Sequence, residues 1–154
     1  MTRSLLIIAC SRRKSAGMAA GTAWEIYDGV VYRMLKKRLG PPDDWPAGLD
    51  VLIVSARYGV ILPTRRIETY DQAMPPDGRP GRWMGRLRRL VAGRDYRFVH
   101  VNLGRAYQEA IGELAGLFPR AEVTTASGGI GRRAAHTAAW ITARWSTDRT
   151  AQPS

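Results

Sequence analysis

The sequence is poor in cysteine, histidine and acidic residues, and it has no long apolar run. Cys10 is the only cysteine, so no disulfide can form within the chain, and we expect a reducing compartment. The two histidines form no cluster with Cys10 and carboxylates at ligand spacing, so we expect neither a metal ion nor another cofactor. The apolar segment at residues 5–9 is too short to cross a bilayer and lacks the plan of a signal peptide. We therefore expect a cytoplasmic protein with no membrane partner.

Positive charge is in large excess. The 154 residues include 24 Lys and Arg against 13 Asp and Glu, a formal net charge of +11, which favours a polyanionic partner. Arg82, Arg86 and Arg89 recur at helical spacing, so they share one helix face, which suits either a phosphate backbone or simple solvation. Almost all of the charge is arginine, which grips phosphate through a planar fork of donors. Codon bias in a GC-rich genome would also produce this excess, and that explanation stays open.

Four short apolar runs predict buried β-strands. They are residues 4–10, 51–56, 98–103 and 122–127. The first three are nearly continuous in apolar residues, which is typical of parallel strands covered on both faces.

Helical patterns alternate with these strands. The first helix begins at Thr22, which forms a capping-box pattern with Glu25, and it ends at Gly40. Apolar stripes at helical spacing predict three more helices. They cover about residues 81–92, 105–118 and 130–145.

The alternation of strand and helix predicts an α/β fold. We expect a three-layer sandwich, in which a mainly parallel four-stranded sheet carries helices on both faces. The length and the lack of a linker indicate a single domain over residues 1–146, followed by a disordered polar tail at residues 147–154.

Polar, glycine or cationic residues follow every predicted strand. Ligands of open parallel sheets bind outside the carboxyl ends of the strands, so these residues are candidates for one anion-binding rim. The longest irregular stretch, residues 57–80, begins at this rim, and loops of such length are usually functional or mobile.

The segment after the fourth strand predicts a phosphate site. Gly128, Gly129 and Gly131 allow backbone N–H groups to approach an anion at a helix start, and Arg132 adds formal charge. The same glycines would suit a plain tight turn, and this alternative stays open. Their spacing is that of neither a Walker motif nor a dinucleotide fingerprint.

The segment after the first strand combines a hydroxyl with positive charge. Ser11, Arg13 and Lys14 are candidates for holding an anionic ligand. Cys10 is either a small buried residue at the strand end or a nucleophile. His100, in the middle of the third strand, is expected to be a core histidine with satisfied hydrogen bonds.

The long loop contributes a carboxylate and two aromatic rings. Asp71 is a candidate for acid–base work, and Tyr58 and Tyr70 are candidates for stacking on a base. A solvated loop acid and core aromatics with hydrated hydroxyls are the alternatives.

Four motifs in a fixed order carry a family resemblance. They are CSxxK from Cys10, EIYDG from Glu25, SARYG from Ser55 and YDQ from Tyr70. The combination resembles an uncharacterised bacterial and phage domain family, whose members are often labelled YaaA-like after the peroxide stress protein. The resemblance covers residues 5–131 and implies at most a link to DNA or oxidative stress.

The first motif is also similar to the Cys-x-x-x-Lys-Pro-Tyr signature in the glycosylase-like domain of archaeosine synthase. Ser15 and Ala16 stand where that signature has Pro and Tyr. That domain resembles uracil-DNA glycosylases, which implies a sheet of strand order 2-1-3-4. The loops after the first and third strands would then flank the point where the strand order reverses.

The implied function is cleavage or exchange of the N-glycosidic bond in a nucleotide or nucleic acid. We expect Asp71 to stabilise an oxocarbenium-like sugar or to activate water. Lys14 and Arg13 would hold a phosphate or the leaving base, and Asn102 would orient water or substrate. A non-catalytic DNA- or RNA-binding protein and a nucleotide sensor are the alternatives, and the oligomeric state stays open.

Overall fold

Residues 2–72 and 79–146 are described in the computed structural model of the chain. The strands are β1 (Arg3–Ala9), β2 (Ala20–Thr22), β3 (Leu49–Ser55), β4 (Gly59–Ile61), β5 (Arg66–Glu68), β6 (Tyr96–Asn102) and β7 (Glu122–Thr125). The helices are α1 (Ala23–Ile26), α2 (Val30–Leu39), α3 (Met84–Val91), α4 (Arg105–Ile111) and α5 (Ile130–Ile141). A 3-10 turn covers Pro42–Asp44, and a π-helical turn covers Thr142–Ser146.

A mixed five-stranded sheet has the order β4-β3-β1-β6-β7. β1 pairs in parallel with β3 and β6, and β6 pairs in parallel with β7. The predicted α/β fold with a mainly parallel sheet is confirmed. The predicted four strands and the order 2-1-3-4 are wrong as stated, because a turn after β3 returns the chain along the sheet edge as antiparallel β4. Within the larger sheet, the four parallel strands follow one another as β3-β1-β6-β7.

Helices cover both faces of the sheet. Leu6 and Ile8 of β1 belong to an apolar cluster with α1, α2 and α5, whereas Leu5 and Ile7 belong to a second cluster with α3 and α4. The alternation follows from the pleat, which points successive side chains to opposite faces. Each of these four side chains is buried, and full burial of such a residue contributes about 1.5–3 kcal/mol. The predicted three layers are therefore present.

The first predicted helix is interrupted. The capping box of Thr22 and Glu25 forms as predicted and starts α1, but the chain leaves the helix at Tyr27, which pairs with Lys14 in an isolated bridge. The backbone N–H of Asp28 donates to the carbonyl oxygen of Arg13 at 3.0 Å. A single helix from Thr22 to Gly40 is thus wrong, because the segment after β1 takes up these backbone groups instead.

Other predicted boundaries also shift. The stretch 57–80, predicted to be irregular, contains β4 and β5, and β5 pairs with β2 in a small antiparallel sheet. α4 ends at Ile111 rather than near residue 118, and it is followed by Gly112, whose φ of +87° favours glycine. Two segments lie outside the described residues: residues 73–78 of the stretch 57–80, and the predicted disordered tail at residues 147–154.

Only two of the three arginines predicted to share a face of the second helix, Arg86 and Arg89, lie within a helix. α3 begins at Met84, so Arg82 precedes it. Arg86 uses its Nε to donate to the carbonyl oxygen of Val60 at 3.2 Å, whereas Arg89 is exposed. No helix in the described part of the chain combines the length and apolar character needed to cross a membrane.

Candidate functional site

A hollow of about 350 Å³ opens at the carboxyl ends of β1 and β6. Cys10 follows β1, Asn102 ends β6, and both line it. From β1 the chain continues to β3 on one side of the sheet, and from β6 it continues to β7 on the other side. The hollow therefore lies where the strand order reverses, which is the usual ligand position in such sheets.

The interruption between α1 and α2 shapes one wall of the hollow. The hydroxyl of Ser11 accepts from the backbone N–H of Asp28 at 3.1 Å and donates to the carbonyl oxygen of Arg13. These bonds tie the turn after β1 to the start of α2, so Gly29 and Val30 line the hollow.

Two helix N-termini reach the hollow. α2 begins after Gly29 and α5 begins after Gly129, and within the described structure neither has a side-chain cap or an acidic residue in its first turn. The first turn of a helix leaves backbone N–H groups without helical partners, and the helix dipole adds partial positive charge there. Val30 and Ile130, the first residues of these helices, are 49% and 56% exposed and line the hollow.

Arginine supplies most of the charge at the hollow. Among the described residues, its lining includes one acidic residue, Asp28, and four arginines, Arg12, Arg13, Arg33 and Arg133. Asp28 pairs with Arg33 at 3.0 Å and more loosely with Arg13 at 3.9 Å. Arg12 and Arg133 have no ion pair with any residue of 2–72 or 79–146, so the hollow has a net positive charge.

Asn102 orients Arg133 and the start of α5. Its side-chain amide donates to the hydroxyl of Thr137 at 2.9 Å and to the carbonyl oxygen of Arg133 at 3.3 Å. The guanidinium of Arg133 donates to the Asn102 side-chain oxygen at 3.5 Å. Asn102 is 3% exposed, so its polar groups are used within the protein, and it positions a cation in addition to lining the hollow.

Asp28 is the functional candidate that the sequence interpretation missed. Its hydrogen bond to Arg33 holds the pKa of Asp28 below the usual value, and the charges of Lys36 and Arg13 lower that pKa further. The hollow therefore contains a carboxylate that stays ionised. The signal that was available is the Asp28-Gly29 pair inside an otherwise helical pattern, since Gly29 disfavours a continuous helix.

Four of the predicted site residues that do not line the hollow form a neighbouring cluster. Lys14 lies over the ring of Tyr70, with its Nζ 4.3 Å from the ring centroid, and its burial lowers the pKa of its ammonium group. Cys10 and Asp71 oppose that shift in the pKa of Lys14, and the exposed Asp71 directly follows Tyr70 in the sequence. The structure thus brings Lys14, Tyr70 and Asp71 together, but beside the hollow.

The two tyrosines predicted to stack on a base, Tyr58 and Tyr70, contact each other. The rings of Tyr58 and Tyr70 pack edge to face, with 5.7 Å between their centroids. The hydroxyl of Tyr70 is hydrogen-bonded to that of Tyr27 at 2.7 Å and to Ser55 Oγ at 2.9 Å. Cations lie over both rings, with Arg57 at 5.3 Å from the Tyr58 centroid.

The glycine-containing segment at the start of α5 forms an exposed rim. Gly128 has a φ of +88°, which explains the need for glycine there. Gly128, Gly129, Gly131 and Arg132 are all exposed, and the α5 residues that line the hollow are Ile130 and Arg133.

The structure shows the positions and hydrogen-bond partners of Cys10 and His100. Cys10 lines the hollow half-buried, with its Sγ 3.1 Å from the hydroxyl of Tyr107. His100 is a core histidine, as predicted, because Thr124 Oγ1 at 2.7 Å and Thr137 Oγ1 at 3.0 Å satisfy its ring nitrogens. Among residues 2–72 and 79–146, no three His, Cys, Asp or Glu side chains form a group that could hold a metal ion.

A second hollow, of about 530 Å³, lies between β6, β7 and the segment after α4. It is larger, but Glu113 is the only charged residue in its lining within the part of the chain that the structure describes. An anionic ligand would find no positive charge there, so the hollow at β1 and β6 is the stronger candidate.

Comparison with known proteins assigns no family to the chain. No family model matches it, and no curated protein is significantly similar to it.

Proposed function

We propose that the hollow binds a nucleotide through its phosphate and that the protein cleaves the N-glycosidic bond between base and sugar. One observation carries the proposal. Two uncapped helix N-termini and four arginines converge on a hollow whose lining includes a single, ionised carboxylate.

The phosphate would lie near Arg133 and the N-terminus of α5. Backbone N–H groups at a helix start suit phosphate oxygens, and an arginine adds charge-assisted hydrogen bonds in a planar fork. Arg133 is the cation whose orientation Asn102 restrains, so it loses less conformational freedom when the ligand binds.

The remainder of the hollow suits a nucleoside. Its volume of about 350 Å³ lies within the range of small-molecule sites. Val30 and Ile130 offer exposed apolar surface that a base would cover, and an uncovered apolar side chain of this size is otherwise unfavourable.

Asp28 would stabilise the sugar during bond cleavage. The C1′–N bond breaks with its electron pair leaving on the base, and positive charge develops on the sugar ring. A water molecule then adds to C1′ and loses a proton, while the base gains one. A nearby carboxylate stabilises such an oxocarbenium-like sugar, as in glycoside hydrolysis, and Asp28 is the carboxylate that lines the hollow.

The test is release of free base. The purified protein is incubated with a panel of nucleoside monophosphates, and products are separated by chromatography. We expect one or more nucleotides to release base. Asp28→Asn should lower the rate at least about a hundredfold, because it removes the negative charge with little change of shape. Asp71→Asn, which alters the loop carboxylate outside the hollow, is the matched control and should retain activity.

Measurement of nucleotide binding distinguishes an enzyme from a non-catalytic nucleotide sensor. Arg133→Gln should raise the dissociation constant for the nucleotide by about tenfold, the equivalent of about 1.4 kcal/mol. Nucleotide binding without release of base would indicate a nucleotide sensor and contradict the enzymatic part of the proposal. Neither binding nor release for any nucleotide of the panel would contradict the whole of it.

A further inference from the structure

We propose that the substrate of this site is a single-stranded nucleic acid rather than a free nucleotide, an inference that rests on the proposed function. A cationic and aromatic strip, formed by Lys14, Arg57, Tyr58, Arg65 and Tyr70, runs from the edge of the hollow. It would bind the part of the nucleic-acid strand that extends from the hollow past Lys14.

The strip is continuous. Lys14 lies 4.3 Å from the centroid of the Tyr70 ring, and the Tyr70 ring meets the Tyr58 ring at 5.7 Å. The guanidinium groups of Arg57 and Arg65 lie 5.3 Å and 5.2 Å from the Tyr58 centroid. Each cation is within the distance at which a ring attracts positive charge, so successive members of the strip hold one another in place.

The strip joins the hollow at Lys14. Lys14 follows Arg12 and Arg13, which line the hollow, and its Nζ donates to the carbonyl oxygen of Arg12 at 3.2 Å. The connection matters because a nucleic-acid strand has phosphates at regular intervals. A strand with one nucleotide in the hollow would carry its next phosphates along the surface beside it.

The strip is restrained by its aromatic members. The hydroxyl of Tyr58 accepts from the backbone N–H of Glu68 at 3.1 Å, and the hydroxyl of Tyr70 is held by Tyr27 and Ser55. Rings fixed in this way offer an ordered support for the cations, which reduces the entropic cost of binding.

Arg57 and Arg65 keep their charge available for a ligand. Both are exposed, and neither forms an ion pair within the described residues. Guanidinium groups contact phosphates and also stack on unpaired bases, which is how proteins bind single strands without reading sequence.

A mononucleotide would leave the strip unused. The strip residues do not line the hollow, and a ligand that fills the hollow would have no phosphate beyond it. A base must also leave a duplex stack before it can enter an enclosed site, so an unpaired strand binds at lower energetic cost than a duplex.

The test compares ligands of different length. Fluorescence anisotropy measures binding of labelled oligothymidylate and oligouridylate of about ten nucleotides, which is within the span of known single-strand sites. Thymidine and uridine monophosphates are added as competitors to measure mononucleotide binding. A labelled duplex of the same length is measured in the same way. We expect an oligonucleotide to bind at least about tenfold more tightly than its mononucleotide and than the duplex.

Variants localise the effect. The double variant Arg57→Ala/Arg65→Ala should raise the dissociation constant for the oligonucleotide about tenfold and reduce the slope of log K against log salt by about 1.4, or about 0.7 for each lost phosphate contact. Mononucleotide binding should be unchanged. Arg120→Ala is the matched control, because Arg120 is 83% exposed and pairs with Asp95 at the opposite edge of the sheet.

The outcomes distinguish the two proposals. An oligonucleotide that binds no more tightly than the mononucleotide, or a double variant that behaves like Arg120→Ala, would overturn the single-strand inference and leave the proposed function standing. Tighter binding of the duplex would also overturn it. Absence of binding to both mononucleotide and oligonucleotide would instead contradict the proposed function itself.

Discussion

Gly29 lies so close to Ser11 that a Cβ atom on Gly29 would be 2.7 Å from the Cβ of Ser11. Real Cβ atoms essentially never approach so closely, so any side chain at position 29 must displace the turn after β1. This contact determines where α2 begins and therefore where its N-terminus meets the hollow.

Gly29→Ala should destabilise the protein and disturb the hollow. Overpacking of this kind costs about 1–3 kcal/mol, which lowers the melting temperature by about 3 °C for each kcal/mol in a protein of this length. Thermal unfolding checks the first effect, and nucleotide affinity checks the second. Gly85→Ala is the control, because its Cβ would meet Arg89 at an ordinary 3.7 Å and alanine favours the helix. Equal melting temperatures for the two variants would contradict the steric argument.

Asp50 joins three strands at the edge opposite the hollow. Its carboxylate accepts from Arg3 at 3.1 Å, from Arg94 at 2.8 Å and from the hydroxyl of Tyr96 at 2.6 Å. Tyr96 is 5% exposed, and burial together with this hydrogen bond raises the pKa of its hydroxyl above the usual value.

Asp50→Ala should lower the free energy of unfolding by about 2 kcal/mol. Most of this cost comes from the buried Tyr96 hydroxyl left without its acceptor, because Arg3 and Arg94 are partly exposed and regain water. Urea unfolding provides the measurement. Asp95→Asn, which alters an ion pair of 3.9 Å between largely exposed side chains, should change the free energy by less than about 0.5 kcal/mol. A similar loss in both variants would mean that Asp50 has no special structural role.

His100 should make stability depend on pH. Burial lowers the pKa of His100 to about 4, and the positive charges of Arg144 and His136 add to the effect. The unfolded chain binds a proton near pH 6.5, whereas the folded protein resists protonation until about pH 4. The unfolded state therefore binds more protons between these values, so stability present above pH 6.5 is lost as the pH falls toward 4.

The expected loss from His100 is about 3 kcal/mol over that interval. Urea unfolding at a series of pH values measures it against His100→Gln, whose amide can still bond to Thr124 and Thr137 but does not titrate. Other acidic and basic groups contribute equally to both proteins, so the difference in slope isolates His100. Parallel pH profiles would show that the histidine is protonated as easily when folded as when unfolded.

Much of the fold could be predicted from local sequence. The apolar runs located β1, β3 and β6 to within two residues, and the capping box of Thr22 and Glu25 located the start of α1. These signals depend on neighbouring residues along the chain. β4 could not be found in this way, because it is short and its pairing with the edge of β3 depends on a turn.

The candidate site was predictable in position but not in composition. Ser11, Arg13 and Asn102 line the hollow, whereas Lys14, Asp71, Tyr58 and Tyr70 form the cluster beside it. Strand ends identify which segments meet at a rim, since parallel strands end on the same edge. They do not identify which side chain of a segment points into the space between helices.

The amino-acid sequence by itself determined the alternation of buried strands and amphipathic helices and the excess of positive charge, because both are properties of residues and their spacing. Only the tertiary structure decided that Asp28, and not Asp71, is the carboxylate in the hollow. That outcome depends on backbone pairing between Lys14 and Tyr27 and on close packing of Ser11 against Gly29. Both contacts join segments that are separated along the chain, so the local pattern of one segment, including the helix break that Gly29 marks, does not identify the segment that it contacts.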